Sequence, residues 1–480
     1  MEERYIASID LGSSKFGLCV ARVNGDDVQI VYYKETPSEG IRASLINNPM
    51  KASQRLKEAI QEAEKELMIH ILQVVVGMPR GEVSKVTASA RIERTNPDEY
   101  ISNEEVQNLK SIALETYPLP NPEKQIMYGA VAQSFSVDDE IQLVENEVVG
   151  TLSSVLEGHF KVFIGSRRAT TALDKIFNSL DIAVAKKYFL PDVVARTVLS
   201  SEEMASGVAL VDVGAGVTSL AIYQGGIMRY YSAIPFGGRA ITNDIRTECS
   251  ISEDLAEKIK CRFGACLPGK LASLSEKVLQ IRLTDPYKEV PVRYISEIVD
   301  SRSREIISAI LYYIQDSGLQ NTLRSGIVIT GGGAELANFI PLVKEMSGYD
   351  VRKGYPKYLF SASTGTGVYS TAATSAIGMV LAAKEDNLPD CVTPAEKTEA
   401  PEEDMVEVEV TDETPAGEAL FTAEEMGEIP APEEKDKKPK KTKKVKVKKP
   451  KSENTGVLSI VWSTIKDGAL KFYDSANKED

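Results

Sequence analysis

An internal repeat restricts this chain's fold more than any other feature of its sequence. Residues 8–33 read SIDLGSSKFGLCVARVNGDDVQIVYY, and residues 210–234 read LVDVGAGVTSLAIYQGGIMRYYSAI. Each copy has an apolar strand ending in Asp-x-Gly, a turn of small residues, a second strand, a Gly-containing turn and a third strand. The copies lie roughly 200 residues apart, which is explained by a duplicated α/β domain presenting two facing hairpins. In the first copy the strands are expected at 5–10, 17–23 and 28–33, with Asn24-Gly25-Asp26-Asp27 as a turn. Apolar residues at helical spacing then predict a helix over 54–67, and Val74-Val75-Val76 a buried strand running into Gly77.

The two Asp-x-Gly turns have the composition of phosphate cradles. A tight turn presents consecutive backbone N–H groups, and Gly12 lets a phosphate approach where a Cβ would block it. Ser13 and Ser14 add hydroxyl donors, Lys15 a positive charge, and Asp10 a carboxylate able to hold Mg²⁺ through its waters. Asp212, Gly214, Ala215, Gly216 and Thr218 offer the same set in the second copy, with Asp212 the second carboxylate for the metal. One such loop alone is equally an ordinary hairpin turn. A third cluster, Gly331-Gly332-Gly333, follows the apolar run 326–330 and lets a flat ring lie against backbone, with a helix N-terminus nearby. No G-x-x-x-x-G-K-[ST] occurs, and Gly214-Ala215-Gly216 leads into a strand, against a dinucleotide-binding turn.

The formal charge of −14 argues against nucleic acid as a partner of the whole chain. Five cysteines without a C-x-x-C pair and only two histidines exclude a disulfide framework, a His-rich metal site and a His-based triad. The N-terminus lacks the pattern of a signal peptide, and no apolar run approaches the ~20 residues needed to span a bilayer. From about residue 386 the composition changes: an acidic, Pro- and Thr-rich stretch to about 434 reads as disordered. A lysine block follows at 435–451, and 455–473 turns apolar again.

The three motifs, in this order, resemble the phosphate-1, phosphate-2 and adenosine motifs of the actin, Hsp70 and sugar-kinase superfamily. PFGGRAITNDI (235–245), with Gly238, is similar to the segment that nears the nucleotide in that superfamily. Glu257 and Lys260 match residues flanking ribose and adenine, and by spacing alone they equally suit a solvated ion pair on a helix. Only about twenty residues separate the third strand from the helix at 54, whereas roughly 85 lie between Met78 and Arg167. Within that insertion a helix is expected at 103–116 and strands at 125–135, 147–152 and 160–164. Such a layout resembles the FtsA family of bacterial cell-division proteins, which lacks subdomain 1B and has a relocated 1C.

The resemblance implies a duplicated actin-like (ribonuclease H-like) fold. Subdomain 1A would be 1–81, 166–205 and 365–384; 1C would be 82–165; 2A would be 206–240 and 300–364; and 2B would be 241–299. A linker at 385–454 and an amphipathic helix at 455–474 complete the expected layout. It also implies ATP with Mg²⁺, self-association, contacts with later divisome proteins through 1C, and docking of the FtsZ C-terminal peptide on 2B. Arg302 matches the family's arginine for that peptide, although an exposed helix arginine explains it as well. The implied location is the cytoplasmic face of the inner membrane, at the septum. Departures stand out: Val217 replaces a hydroxyl donor, Ser219 an acidic residue, and 191–195 lacks the Glu or Gln that would orient attacking water, leaving Asp192 as the candidate. ATP binding is therefore expected more firmly than hydrolysis. A sugar or carboxylate kinase, an Hsp70-like chaperone and a PilM-like assembly ATPase are the rivals. The first would need a catalytic Asp with a substrate cleft and the second subdomain 1B with a substrate domain, neither of which this sequence shows, and the third should not need this tail.

At 100° per residue, Leu458, Val461, Trp462, Ile465 and Phe472 share one face of the terminal segment, with Ser459, Ser463, Lys466 and Lys471 largely opposite. This pattern predicts a helix lying on a membrane, with the chain's single Trp at the headgroup boundary. Docking on a protein surface is the alternative. The lysine block adds ~1 kcal/mol per Lys of attraction to anionic lipid, and Gly468 costs ~1 kcal/mol of helix, so the helix is expected to form on binding.

Overall fold

In the computed structural model, the described residues are 3–394 apart from 140, 271–276, 282–287 and 364–365. The lysine block, the terminal helix and the expected linker beyond residue 394 lie outside them, but the first residues of that linker are folded. Cys391 is buried, its N–H donating to the Tyr5 carbonyl at 2.8 Å, and Val392–Pro394 pairs antiparallel with Ile69–Ile71. Two sheets carry the repeat. The first has six strands in the order Ala183–Tyr188, Gln73–Gly77, Arg4–Leu11, Lys15–Asn24, Asp27–Pro37 and Ser361–Ala362. The second has five: Ile227–Ile234, Thr218–Gln224, Val208–Val213, Ile327–Thr330 and Val351–Lys353. In each, the Asp-bearing strand pairs antiparallel with its hairpin partner (Asp10 opposite Gly17, Asp212 opposite Ser219) and parallel with a distant strand on its other side. The fold is actin-like, with the duplication legible in its topology.

Both central strands are buried on both faces, so they read as apolar runs. Ile9 points into a core with Leu56, Ile60, Leu173 and Phe177, from the helices Pro49–Leu67 and Arg167–Asn178. Ile6 points to the opposite face, against Leu190 and Val193 of helix Leu190–Val198 and Ile377 and Val380 of helix Thr374–Glu385. In the second sheet, Val211 and Val213 pack under the helices Gly238–Cys249, Glu253–Phe263 and Val292–Asp316, while Leu210 faces Val194 and Val198.

The inserted region forms a third sheet, in the order Ile141–Leu143, Gln125–Val137, Val155–Ser166 and Ser84–Glu93. Helix Asn103–Thr116 covers it, and Ser102 and Glu105 exchange the hydrogen bonds of a capping box. The strand expected at 147–152 is instead a short helix, Glu145–Val148, followed by a loop. Its apolar valines misled the reading: the Val144 N–H donates to the Glu147 carboxylate at 3.1 Å, a bond that closes a helical turn. The strand Ser84–Glu93 escaped the sequence reading. Against the second sheet, Gln133 donates to the Met228 carbonyl at 3.0 Å and Lys85 sits 3.3 Å above the Tyr230 ring. All five cysteines are free, and no described helix is long and apolar enough to cross a membrane.

Candidate functional site

The two Asp-x-Gly turns meet at one cavity of about 110 Å³ between the sheets. Their glycines answer the same local demand. A Cβ on Gly12 would stand 2.5 Å from the Lys15 carbonyl, and one on Gly214 2.7 Å from the Val217 carbonyl. Each hairpin thus folds its fourth residue back on its first, which only glycine permits. The turns also touch each other. A Cβ on Gly216 would lie 2.7 Å from Ser13 Oγ and 2.9 Å from Ala43 N, in the loop where the Ser44 N–H donates to Ser13 Oγ at 3.0 Å.

The third glycine cluster closes one wall. Gly331 has φ +82°, and a Cβ there would meet Asp212 Oδ1 at 2.3 Å. Gly332 faces open space and lines the cavity, whereas Gly333 packs on Val213 and does not. Thr371 ties this wall to the first half, its hydroxyl donating to the Gly331 carbonyl at 2.8 Å and its own carbonyl accepting the Gly331 N–H at 3.1 Å.

Asp10, Gly12, Ser13, Asp212, Gly214, Ala215, Gly216, Gly331 and Gly332 are therefore brought together. The remaining candidates are not cavity-lining. Lys15 is exposed and pairs with Glu35 at 2.7 Å, and its neighbour Ser14 is half-buried. Thr218 is fully buried and its hydroxyl donates to the Phe236 carbonyl at 2.9 Å, a structural tie. Glu257 and Lys260 pair at 2.7 Å, as an i,i+3 helix pair, but not in open solvent. Lys260 also donates to the Gly238 carbonyl at 3.1 Å and to Thr242 at 2.8 Å, beneath the turn where the Gly238 N–H donates to the Gly214 carbonyl. Asp192 pairs with Arg196 at 3.0 Å, away from the cavity. Arg302 lies on helix Val292–Asp316, bound to Asp244 of the neighbouring helix.

The sequence reading missed Arg80, Ser44 and Ser375. Arg80 follows Gly77-Met78-Pro79, at the end of the strand parallel to Arg4–Leu11. Its Nη1 binds Asp212, while its Nη2 donates to Ser375 Oγ at 2.6 Å and lies 3.5 Å from Asp10 Oδ2. One guanidinium thus serves the carboxylates of both repeats. Burial pushes the Asp10 carboxyl up, as does neighbouring Asp212, and Arg80 opposes both. These are the residues expected to hold Mg²⁺ through water. As arranged they do not fit it, because a cation already occupies both carboxylates. Among the described residues, no group of three or more His, Cys, Asp or Glu side chains is placed to hold a metal.

Sequence comparison matches residues 209–378 to the family described as cell division protein FtsA. A cell division protein FtsA of Neisseria meningitidis is 27% identical over 399 residues, covering 81% of this chain and 92% of that protein. One of Borreliella burgdorferi is 29% identical over 383 residues, covering 79% and 91%. Among solved structures, a PilM-PilN type IV pilus biogenesis complex aligns over 78% of this chain and 98% of its own, with a TM-score of 0.53 at 13% identity. That likeness is one of fold.

Proposed function

Because the chain belongs to the FtsA family of actin-like cell-division proteins, we propose that it binds ATP between its two halves and tethers FtsZ filaments to the inner membrane. The observation that carries the nucleotide reading is the convergence of both Asp-x-Gly turns and the third glycine turn on one cavity. Gly12, Ser13, Gly214, Ala215 and Gly216 line the place for phosphates, while Ser14, Lys15 and Thr218 stand outside that lining. Gly331 and Gly332 would take the adenosine, with Gly238, Glu257 and Lys260 beneath the second turn and Gly333 behind the third. At about 110 Å³ the cavity is smaller than the ~300 Å³ at the low end of ligand pockets, so entry requires the halves to part. Mg²⁺ has no step in this reading, since Arg80 holds its carboxylates.

The adaptor role adds partners at other surfaces. The FtsZ C-terminal peptide would dock near Arg302, further copies of this chain would assemble with it, and later divisome proteins would meet the inserted third sheet. The segment 455–474 would lie on anionic lipid at the cytoplasmic face of the membrane, at the septum. A PilM-like role has likeness of fold alone behind it. Deleting residues 455–480 tests the adaptor reading: liposome co-sedimentation should be lost while binding of an ATP analogue and of the FtsZ peptide persists. Unchanged co-sedimentation would refute it.

A further inference from the structure

In sites that take a triphosphate, a divalent ion commonly neutralises the phosphates while carboxylates hold it, in part through water. Here the two carboxylates placed for that task already share an organic cation. We propose that Arg80 supplies the positive charge of this cavity, so that the protein binds a nucleoside triphosphate without requiring a divalent metal. The inference deepens the ATP reading and rests on it.

Placement, confinement and chemistry carry it. Among the described residues, Arg80 is the one Lys or Arg lining the cavity, Lys15 and Lys260 being engaged by Glu35 and Glu257 outside it. Its side chain is only 13% exposed. The backbone is held on both sides: the Arg80 N–H donates to Ser44 Oγ at 3.0 Å, and its carbonyl accepts from the Tyr231 hydroxyl at 3.0 Å. Ser44 in turn donates to Ser13, so the first turn and Arg80 are positioned together. Pro79 fixes φ one residue earlier. The guanidinium therefore stands at a set point before both turns, and its planar fork suits phosphate oxygens better than a mobile ammonium does. A metal entering between Asp10 and Asp212 would leave this buried charge without its partners, which disfavours the exchange. A triphosphate instead brings new acceptors to the same fork.

The test uses the full chain and two probes: Mn²⁺ alone, followed by electron paramagnetic resonance, and a fluorescent ATP analogue titrated in EDTA or in Mg²⁺. Wild type is expected to bind the analogue within about threefold equally in both buffers, and Arg80→Gln to lose about tenfold or more in EDTA and recover in Mg²⁺. Without nucleotide, Arg80→Gln should bind Mn²⁺ about tenfold more tightly than wild type, its two carboxylates being unpaired. Should Arg80→Gln melt early, Arg80→Lys keeps the charge and is expected to retain binding in EDTA. A wild type whose analogue binding collapses in EDTA, or Mn²⁺ binding identical in wild type and Arg80→Gln, overturns the proposal alone. Absence of analogue binding in either buffer overturns the ATP reading and this inference with it.

Discussion

Arg302 grips Asp244 at two points, Nε to Oδ2 at 2.6 Å and Nη2 to Oδ1 at 3.0 Å, joining helix Val292–Asp316 to helix Gly238–Cys249. Its Nη1 also reaches Glu305, so the arginine expected to receive the FtsZ peptide is already satisfied within the protein. About a third of its side chain is exposed, which leaves a face for a competing carboxylate.

Arg302→Ala should therefore weaken binding of the FtsZ C-terminal peptide by about tenfold, read by fluorescence anisotropy. Its melting temperature should barely change, since a partly exposed pair contributes about 0–1 kcal/mol. Peptide affinity equal to wild type would reduce Arg302 to a tie between helices.

Gly331 and Gly332 are adjacent yet should respond differently. Gly331→Ala forces a Cβ into a left-handed backbone and against Asp212, and is expected to destabilise by about 1–3 kcal/mol in chemical denaturation. Gly332→Ala meets nothing within 4 Å, so stability should hold while the added methyl narrows the cavity and weakens ATP-analogue binding. Equal stability losses in the two variants would contradict this assignment.

The inserted region contains a buried cation whose partner titrates. Arg94 has a side chain 2% exposed and binds Glu105 at 2.8 and 3.2 Å. The hydrogen bond from Arg94 holds the Glu105 carboxyl below its ordinary value of 4.5. A depressed carboxyl stabilises the fold above 4.5, and the contribution fades as pH falls from there through the folded value. Glu105→Gln should cost about 1–3 kcal/mol at neutral pH, because a buried cation loses its anion, and should flatten the loss of stability below pH 4.5. An acid limb as steep as that of wild type, followed by circular dichroism, would show that other carboxyls control it.

Trp462 is the chain's single tryptophan, so its emission reports the terminal segment alone. Mixing the full chain with phosphatidylglycerol vesicles should shift that emission to the blue, less so at high salt, where the lysine block is screened. Ile465→Glu places a charge on the apolar face and should abolish the shift. A shift that survives this substitution would favour docking on protein over lipid.

Much of the site was visible in one dimension because turns are local. Gly12 and Gly214 are demanded by contacts three residues away, so composition and spacing betray them, whereas Gly331 answers to Asp212 and Val213 on the neighbouring strand. Residue type and proximity make Lys15 and Thr218 look like phosphate donors, yet Glu35 takes one and the Phe236 carbonyl the other. Those partners lie 20 and 18 residues off, beyond any turn pattern. The strand expected at 147–152 failed for a related reason: a short apolar run carries no period of its own, and a side chain capping a turn decided it.

The two Asp-x-Gly hairpins are written into the chain locally, since Gly12 and Gly214 answer steric demands three residues away, whereas Gly331 and Gly333 answer to Asp212 and Val213 of a distant strand. Which charge stands between the hairpins was settled by packing across the whole fold. Arg80 reaches Asp212 across 132 residues and Ser375 across 295. Its partners were chosen by which strands lie parallel and by the removal of water from the cleft. A charge's preference for its partner is long-ranged and without sequence period, so the pairing exists only once packing has excluded the solvent that would otherwise satisfy each ion alone.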